Sequence, residues 1–317
     1  MTCRFVVISD THFNSSLSED AGTWWNRTTE SRSKEMGAAL VDCVTGLSPD
    51  FVIHCGDIVG SDTAENFELG RSIMDRLGCP WYAAPGNHDS KNMAVREGLK
   101  DIFGMDDGTW SYTRDLGGIK FFFLDVTCWT DDEGNVSPAL DREKYDAGHI
   151  VGMGPTVRDL LWLERELEHA TLPSVLVTHA PVNFRDAYPL ANLPYGKPVS
   201  GPLTSPGDFV SGFITEREQR LRLLDIVRRH DSVTACFAGH WHIHDAYFWD
   251  GVEYILTGAL REYPYELRLV EYDGSRFTVS THALDVPELR ELSYISEWGN
   301  DWIRGTEDVR EFGFSLR

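Results

Sequence analysis

Short β-branched, apolar runs alternate with segments whose apolar residues recur at three- and four-residue spacing through the first three-quarters of the chain. The apolar runs predict strands at Phe5–Ser9, Phe51–His54, Trp81–Ala84, Ile119–Asp125, Ser174–Thr178 and Val233–Ala238. The intervening segments predict helices over Glu30–Leu47, Ala64–Leu77, Thr156–Ala170 and Thr215–His230. Strands separated by helices are the signature of parallel strands joined by crossovers, so the fold class is α/β.

From Asp245 the rhythm changes to closely spaced strands, Ala246–Trp249, Val252–Leu256, Glu266–Glu271 and Arg276–His282, with turns at Asp250-Gly251 and Asp273-Gly274. These are expected to pair antiparallel at one edge of a sheet. No Ser/Gly-rich linker and no internal repeat divides the chain, which points to one domain over 1–284 with mixed sheets and a C-terminal extension, 285–317, packed on it. Two long Gly/Pro-rich stretches, Thr127–Pro155 and Pro181–Gly212, exceed the usual connection length and read either as functional covers or as structural detours.

Composition narrows the partners. With 29 basic against 50 acidic residues the formal charge is -21, a mean field that repels phosphate polymers and disfavours nucleic acid. Cys3, Cys43, Cys55, Cys79, Cys128 and Cys236 are scattered singly and read as reduced core residues. The apolar run Phe5-Val6-Val7-Ile8 is too short for a secretory leader, and no stretch approaches the ~20 apolar residues of a membrane span. A cytoplasmic protein is the expectation.

The chemistry sits just beyond the strand ends. Strand one runs into Ser9-Asp10-Thr11-His12, strand two into Gly56-Asp57, and strand three into Gly86-Asn87-His88-Asp89. Later strands run into Thr178-His179 and Gly239-His240-Trp241-His242. In a parallel sheet those ends open onto one crevice, where ligands bind. Two carboxylates, one amide and four imidazoles would meet there, enough for two metals. An isolated acid-x-His pair is usually a surface turn; five pieces in order, all at strand ends, are not. Glycines beside three of the pieces fit turns that bring backbone close to a metal site.

These motifs resemble the full series of the calcineurin-like metallophosphoesterase family, over about three-quarters of the chain. The resemblance implies a four-layer α/β/β/α sandwich with a dinuclear site at the C-terminal strand ends. It further implies that Asp10, His12 and His242 hold one metal, that Asn87, His179 and His240 hold the other, and that Asp57 bridges them. A carboxylate can offer one oxygen to each ion, with a hydroxide between the ions attacking phosphorus in line. Mixed oxygen and nitrogen ligation without thiolate suits manganese, iron or zinc. His88 is left to face the phosphate and protonate the leaving alkoxide, or else simply to cap the following helix.

One departure from the family pattern is visible. Many relatives carry an Asp three residues after the bridging Asp to orient this His; here the position is Gly60, with Asp62 as a possible substitute. The stretch Asp57-Ile58-Val59-Gly60 also lacks the Tyr that purple acid phosphatases use as an iron ligand. His244 continues the alternation of His240 and His242 and reads as outer-shell or solvent-facing. His54 reads as a hydrogen-bonded core residue, and Trp24-Trp25 either as a base-stacking rim or as ordinary packing.

Within the family the short motif set looks most like the class III cyclic nucleotide phosphodiesterases. A small phosphodiester is the expected substrate, with a phosphomonoester or a nucleotide pyrophosphate as the alternative. A nuclease would need a basic tracking surface that this acidic chain lacks. A non-catalytic module on the same fold would be expected to have lost ligands, and here all seven positions are filled.

Overall fold

The computed structural model describes residues 3–15, 29–91, 110–183, 217–294 and 301–317. Its strands are β1 (Cys3–Ile8), β2 (Phe51–His54), β3 (Trp81–Ala83), β4 (Tyr112–Leu116), β5 (Ile119–Phe123), β6 (Cys128–Asp131), β7 (Val136–Ser137) and β8 (Ile150–Gly154). They continue with β9 (Ser174–Val177), β10 (Val233–Ala238), β11 (Asp245–Trp249), β12 (Val252–Leu256), β13 (Glu266–Tyr272), β14 (Arg276–Ala283) and β15 (Phe312–Ser315). Two six-stranded mixed sheets result, ordered β15-β14-β13-β1-β2-β3 and β11-β12-β10-β9-β5-β4. In the first, β1, β2 and β3 run parallel; in the second, β5, β9, β10 and β12 do.

The parallel strands are apolar on both faces because both faces are covered. In β5, Phe121 and Phe123 join the core shared with the first sheet, while Phe122 points into a second core against helices. Phe5 of β1 stacks on Phe51 of β2, ring centroids 5.2 Å apart, and meets Phe121 edge-on at 5.4 Å. That contact ties sheet to sheet. The outer layers are helices: α1 (Ser33–Leu47) and α2 (Ala64–Met74) bury Met36, Leu40, Val44 and Ile73 with the first core. On the far side, α3 (Val157–Glu168) and α4 (Arg217–Arg229) bury Leu160, Leu163, Leu223 and Ile226 against the second sheet. The four-layer sandwich is therefore present, with α3 opened by a capping box between Thr156 and Asp159.

The structure corrects the sequence reading in two places. The closely spaced C-terminal strands do not share one edge: the β11–β12 hairpin completes the second sheet, whereas β13 and β14 extend the first, where β15 adds a further antiparallel strand. Residues 257–265 pass between the two sheets, and nothing in the local pattern marks that crossing. The 127–155 stretch is not irregular either; β7, β6 and β8 form a small antiparallel sheet whose Trp129 and Met153 are buried. Trp24-Trp25 and most of the Pro181–Gly212 stretch lie outside the described residues.

Candidate metal centre

The parallel strands deliver their last residues to one crevice. Past β1 and β2 the chain continues as two loops bonded backbone to backbone, the Asp10 amide donating to the Gly56 carbonyl at 3.0 Å and the His12 amide to the Asp57 carbonyl at 3.0 Å. Past β9 and β10, the Gly239 amide donates to the His179 carbonyl at 2.9 Å. Asp10, His12, Asp57, His240 and His242 all take positive φ, between 43° and 68°. Left-handed backbone at a non-glycine residue costs on the order of 1 kcal/mol or more and concentrates where a site dictates geometry. Here five such residues fall on the sequence-predicted ligands.

Glycine is required at two of the motif positions because the backbone passes too close for a side chain. A Cβ on Gly239 would lie 1.7 Å from Ser9 Oγ and 2.5 Å from Asp10 Oδ2. One on Gly86 would lie 2.0 Å from the Asp57 amide nitrogen and 2.1 Å from Asp57 Oδ1.

The seven sequence-predicted ligands converge, and all are buried. Asp10 is oriented by its Oδ2, which accepts from Ser9 Oγ at 2.5 Å and from the His240 amide at 3.0 Å. Its Oδ1 is left facing His242 Nε2 at 3.1 Å and His12 Nε2 at 3.7 Å, and those two nitrogens are 3.4 Å apart. In the second cluster, His179 Nε2 lies 2.9 Å from Asn87 Oδ1, 3.1 Å from His240 Nδ1 and 3.3 Å from Asp57 Oδ2. Asp57 stands between the clusters, but not with one oxygen for each. Its Oδ1 accepts from the His88 amide at 2.7 Å, so Oδ2 alone faces both His179 and His12, the latter at 3.6 Å.

The residues fit bound cations on their own chemistry. His179 donates its Nδ1 proton to the Cys55 carbonyl at 2.9 Å, leaving a lone pair on Nε2. That lone pair meets an amide oxygen and a carboxylate oxygen, both acceptors; among the neutral side chains His240 Nδ1, 3.1 Å away, could donate to it, but that proton would not satisfy the two oxygens. A shared cation would. Donors held ~2.0–2.2 Å from one ion stand roughly 3 Å apart, which is the spacing of both clusters.

The electrostatics carry the same demand for positive charge. Burial disfavours charge on His179, yet Asp57 and Asp10 override it and push the imidazole up to about 9. Burial is likewise overridden at His242, where Glu262 and Asp10 push it up to about 10. The Asp57 carboxyl is held well below the carboxylate range because His179 and His88 outweigh its desolvation. By contrast, burial takes His240 down to about 3.

His88 is half-buried, its ring 4.7 Å from that of His12 and edge-on to it. Its nitrogen also converges with donor atoms of His12 and Asp57 within 4.8 Å. Desolvation, against the pull of Asp57, takes it down to about 4. His244 is buried rather than solvent-facing, its Nδ1 accepting from the Gly258 amide at 3.3 Å, and it joins none of the metal-competent groups among the described residues. His54 is a core residue as expected: its Nδ1 accepts from the Gly56 amide at 3.0 Å and its Nε2 meets Thr11 Oγ1 at 3.0 Å, bracing both loops.

Sequence reasoning missed two groups. Asp89 is fully buried and accepts from the Gly86, Ile58 and Val59 amides, locking the Asn87 loop to the Asp57 loop; its place at the end of Gly-Asn-His-Asp was the available signal. Glu262, hydrogen-bonded to His242 Nδ1, carried no signal, because an isolated Arg-Glu pair after a strand looks like surface charge.

A profile of the calcineurin-like phosphoesterase family matches residues 3–244, a span that contains all seven candidate ligands. The chain belongs to that family. It is thus a metallophosphoesterase, a hydrolase of a family that works with a dinuclear metal site, and the His/Asp clusters are consistent with one. By sequence it is similar to the glycerophosphodiester phosphodiesterase GpdQ of Enterobacter lignolyticus, 27% identical over 244 residues, 74% of this chain and 69% of that protein. A probable glycerophosphodiester phosphodiesterase GpdQ of Arcobacter nitrofigilis is 24% identical over 262 residues, covering 80% of this chain and 77% of the relative. The fold resembles that of a dimetal phosphatase from Danio rerio, with a TM-score of 0.62 at 15% identity over 89% of this chain and 96% of the other. A yellow lupin purple acid phosphatase shares the fold at a TM-score of 0.54 and 11% identity, over 89% of this chain and 52% of that one. Among the described residues no helix is long and apolar enough to cross a membrane.

Proposed function

We propose that this phosphoesterase hydrolyses a small phosphodiester, with Asp10, His12 and His242 holding one cation, Asn87, His179 and His240 the other, and Asp57 Oδ2 shared between them. The observation that carries the reading is the convergence of the seven buried side chains into two clusters, with Asn87 Oδ1 and Asp57 Oδ2 at 2.9 and 3.3 Å from His179 Nε2 while its Nδ1 proton goes to the Cys55 carbonyl. Bound as a pair, manganese, iron or zinc would supply Lewis acidity and an activated water. The chain's own contribution is orientation. Ser9 and the His240 amide turn Asp10 Oδ1 inward; the His88 amide turns Asp57 Oδ2 inward; the Cys55 carbonyl fixes the tautomer of His179. His88 stands beside this constellation as the proton donor to the leaving oxygen, and the phosphate's negative charge would raise its basicity there.

A diester is preferred over a monoester because both curated relatives carry the phosphodiesterase name. Cyclic nucleotides and glycerophosphodiesters are the two forms to compare; phosphomonoesterase or nucleotide pyrophosphatase activity is the alternative. The test is a panel of bis(p-nitrophenyl) phosphate, p-nitrophenyl phosphate, cAMP and glycerophosphoethanolamine with added manganese, alongside elemental analysis of the purified protein. Higher kcat/KM for the diesters with two ions per chain supports the proposal. Faster turnover of the monoester, or active protein without transition metal, overturns it.

A further inference from the structure

The two clusters differ in what stands behind their histidines. His179 rests on a neutral main-chain carbonyl. His242 rests on a carboxylate: its Nδ1 is hydrogen-bonded to Glu262 Oε1, and Glu262 is completely buried. A buried carboxylate is costly unless each oxygen has a partner. The second oxygen, Oε2, accepts no hydrogen bond among the described residues but is ion-paired with Arg261, whose Nε lies 3.2 Å away on a side chain 5% exposed.

The peptide that carries the pair is anchored independently. Thr29 Oγ1 donates to the Arg261 carbonyl at 2.8 Å, Tyr265 Oη to the same oxygen at 3.1 Å, and the Leu260 amide reaches the Ser9 carbonyl at 3.2 Å. Residues 260–262 are thus fixed to the Asp10 loop from behind, at the place where the chain crosses from one sheet to the other.

We infer that Glu262, clamped by Arg261, is a positioning residue for His242, holding the proton on Nδ1 so that Nε2 presents its lone pair beside Asp10 Oδ1. This rests on the proposal that His242 is a metal ligand. Carboxylate backing makes an imidazole a better donor, and such partners typically carry about 10–100-fold in metal affinity. The effect is local. It bears on the ion held by Asp10, His12 and His242 and leaves the other, whose His179 relies on the Cys55 carbonyl, unchanged.

The test uses the full chain, stripped with chelator and titrated with manganese alone by calorimetry and by EPR of free ion. Wild type is expected to take up two ions. Glu262→Ala should keep one of them within about threefold and weaken the other roughly 10–100-fold. Glu262→Gln, which preserves the shape and an oxygen acceptor for Nδ1–H, should weaken that same ion by less. Unchanged binding of both ions in Glu262→Gln and Glu262→Ala overturns the inference, and so does equal weakening of both ions, the pattern of a merely structural loss. If Glu262→Ala does not fold, the Gln variant decides alone. Wild type that binds no manganese fails differently, since it removes the two-cation reading itself.

Discussion

His88 Nδ1 lies 2.6 Å from the carbonyl oxygen of Gly60. Many members of this family place a carboxylate at that sequence position, and here the main chain of the same residue fills the role of orienting the ring. The carbonyl accepts the Nδ1 proton and so fixes the tautomer, but it stabilises an imidazolium less than a carboxylate would. That is consistent with an imidazole whose burial takes it down to about 4. Gly60→Asp should therefore raise the His88 pKa, moving the His88 limb of the kcat profile upward by roughly one pH unit or more. An unmoved profile in a folded, metal-loaded variant would show that the ring is not titrating in turnover.

Removing the ring itself separates leaving groups. His88→Ala is expected to retain its metal complement and to slow hydrolysis of alkyl esters by about 10²–10⁴-fold. The p-nitrophenyl ester, whose leaving oxygen needs no proton, should slow far less. Equal losses on both esters would argue against proton donation.

Loading of the centre should follow pH with a definite sign. In the metal-free protein His179 and His242 hold protons up to about 9 and about 10, so each bound ion must displace one. Apparent affinity for manganese should rise steadily from pH 6 and level only above about 9–10. The metal-free fold behaves oppositely: these raised imidazoles stabilise it fully below the ordinary histidine range, and the contribution is lost as pH rises through about 9–10. Tm of the stripped protein should consequently fall over that interval while that of the loaded protein does not. Parallel Tm curves would contradict the assignment of both histidines.

Asp57→Asn removes the charge that both clusters share through Oδ2. Both ions should weaken, each by at least the roughly 10–100-fold typical of lesser, outer-shell partners, and turnover should vanish. Near-normal activity at ordinary metal concentrations would exclude the shared role.

What the sequence disclosed follows from where the information resides. The parallel strands and crossover helices were legible because each is an apolar pattern long enough to be read alone, and the candidate ligands because each follows a strand end, with glycines beside three of the five pieces. β4 was not legible: Tyr112-Thr113-Arg114-Asp115-Leu116 carries three consecutive polar residues, lacks the alternation of a strand, and acquires its strand only by pairing with β5 across the Gly117-Gly118 turn. β15 depends in the same way on β14. The split of the C-terminal hairpins between two sheets is a tertiary fact, fixed by the crossing at 257–265 that also brings Glu262 to His242. Which Asp57 oxygen faces His12 and His179 was beyond reach too, since the His88 amide that takes the other oxygen is a main-chain group with no sequence signature.

The glycine before His240 offers a test of how tightly the centre is packed. Because a Cβ at 239 would collide with Ser9 Oγ and Asp10 Oδ2, Gly239→Ala must displace the two hydrogen bonds that aim Asp10. Overpacking of this kind costs about 1–3 kcal/mol, and the loss should appear both in Tm and in the affinity of the ion beside Asp10. Removing the nearer obstacle should restore part of each. Ser9→Ala alone deletes one bond to Asp10 and is expected to weaken that ion modestly, whereas combined with Gly239→Ala it should give a variant more stable than Gly239→Ala by itself. Residues in such contact couple by roughly 0.5–3 kcal/mol. Strict additivity of the two substitutions in chemical denaturation would mean that the backbone at 239 moves aside, and that Asp10 is aimed by something other than Ser9.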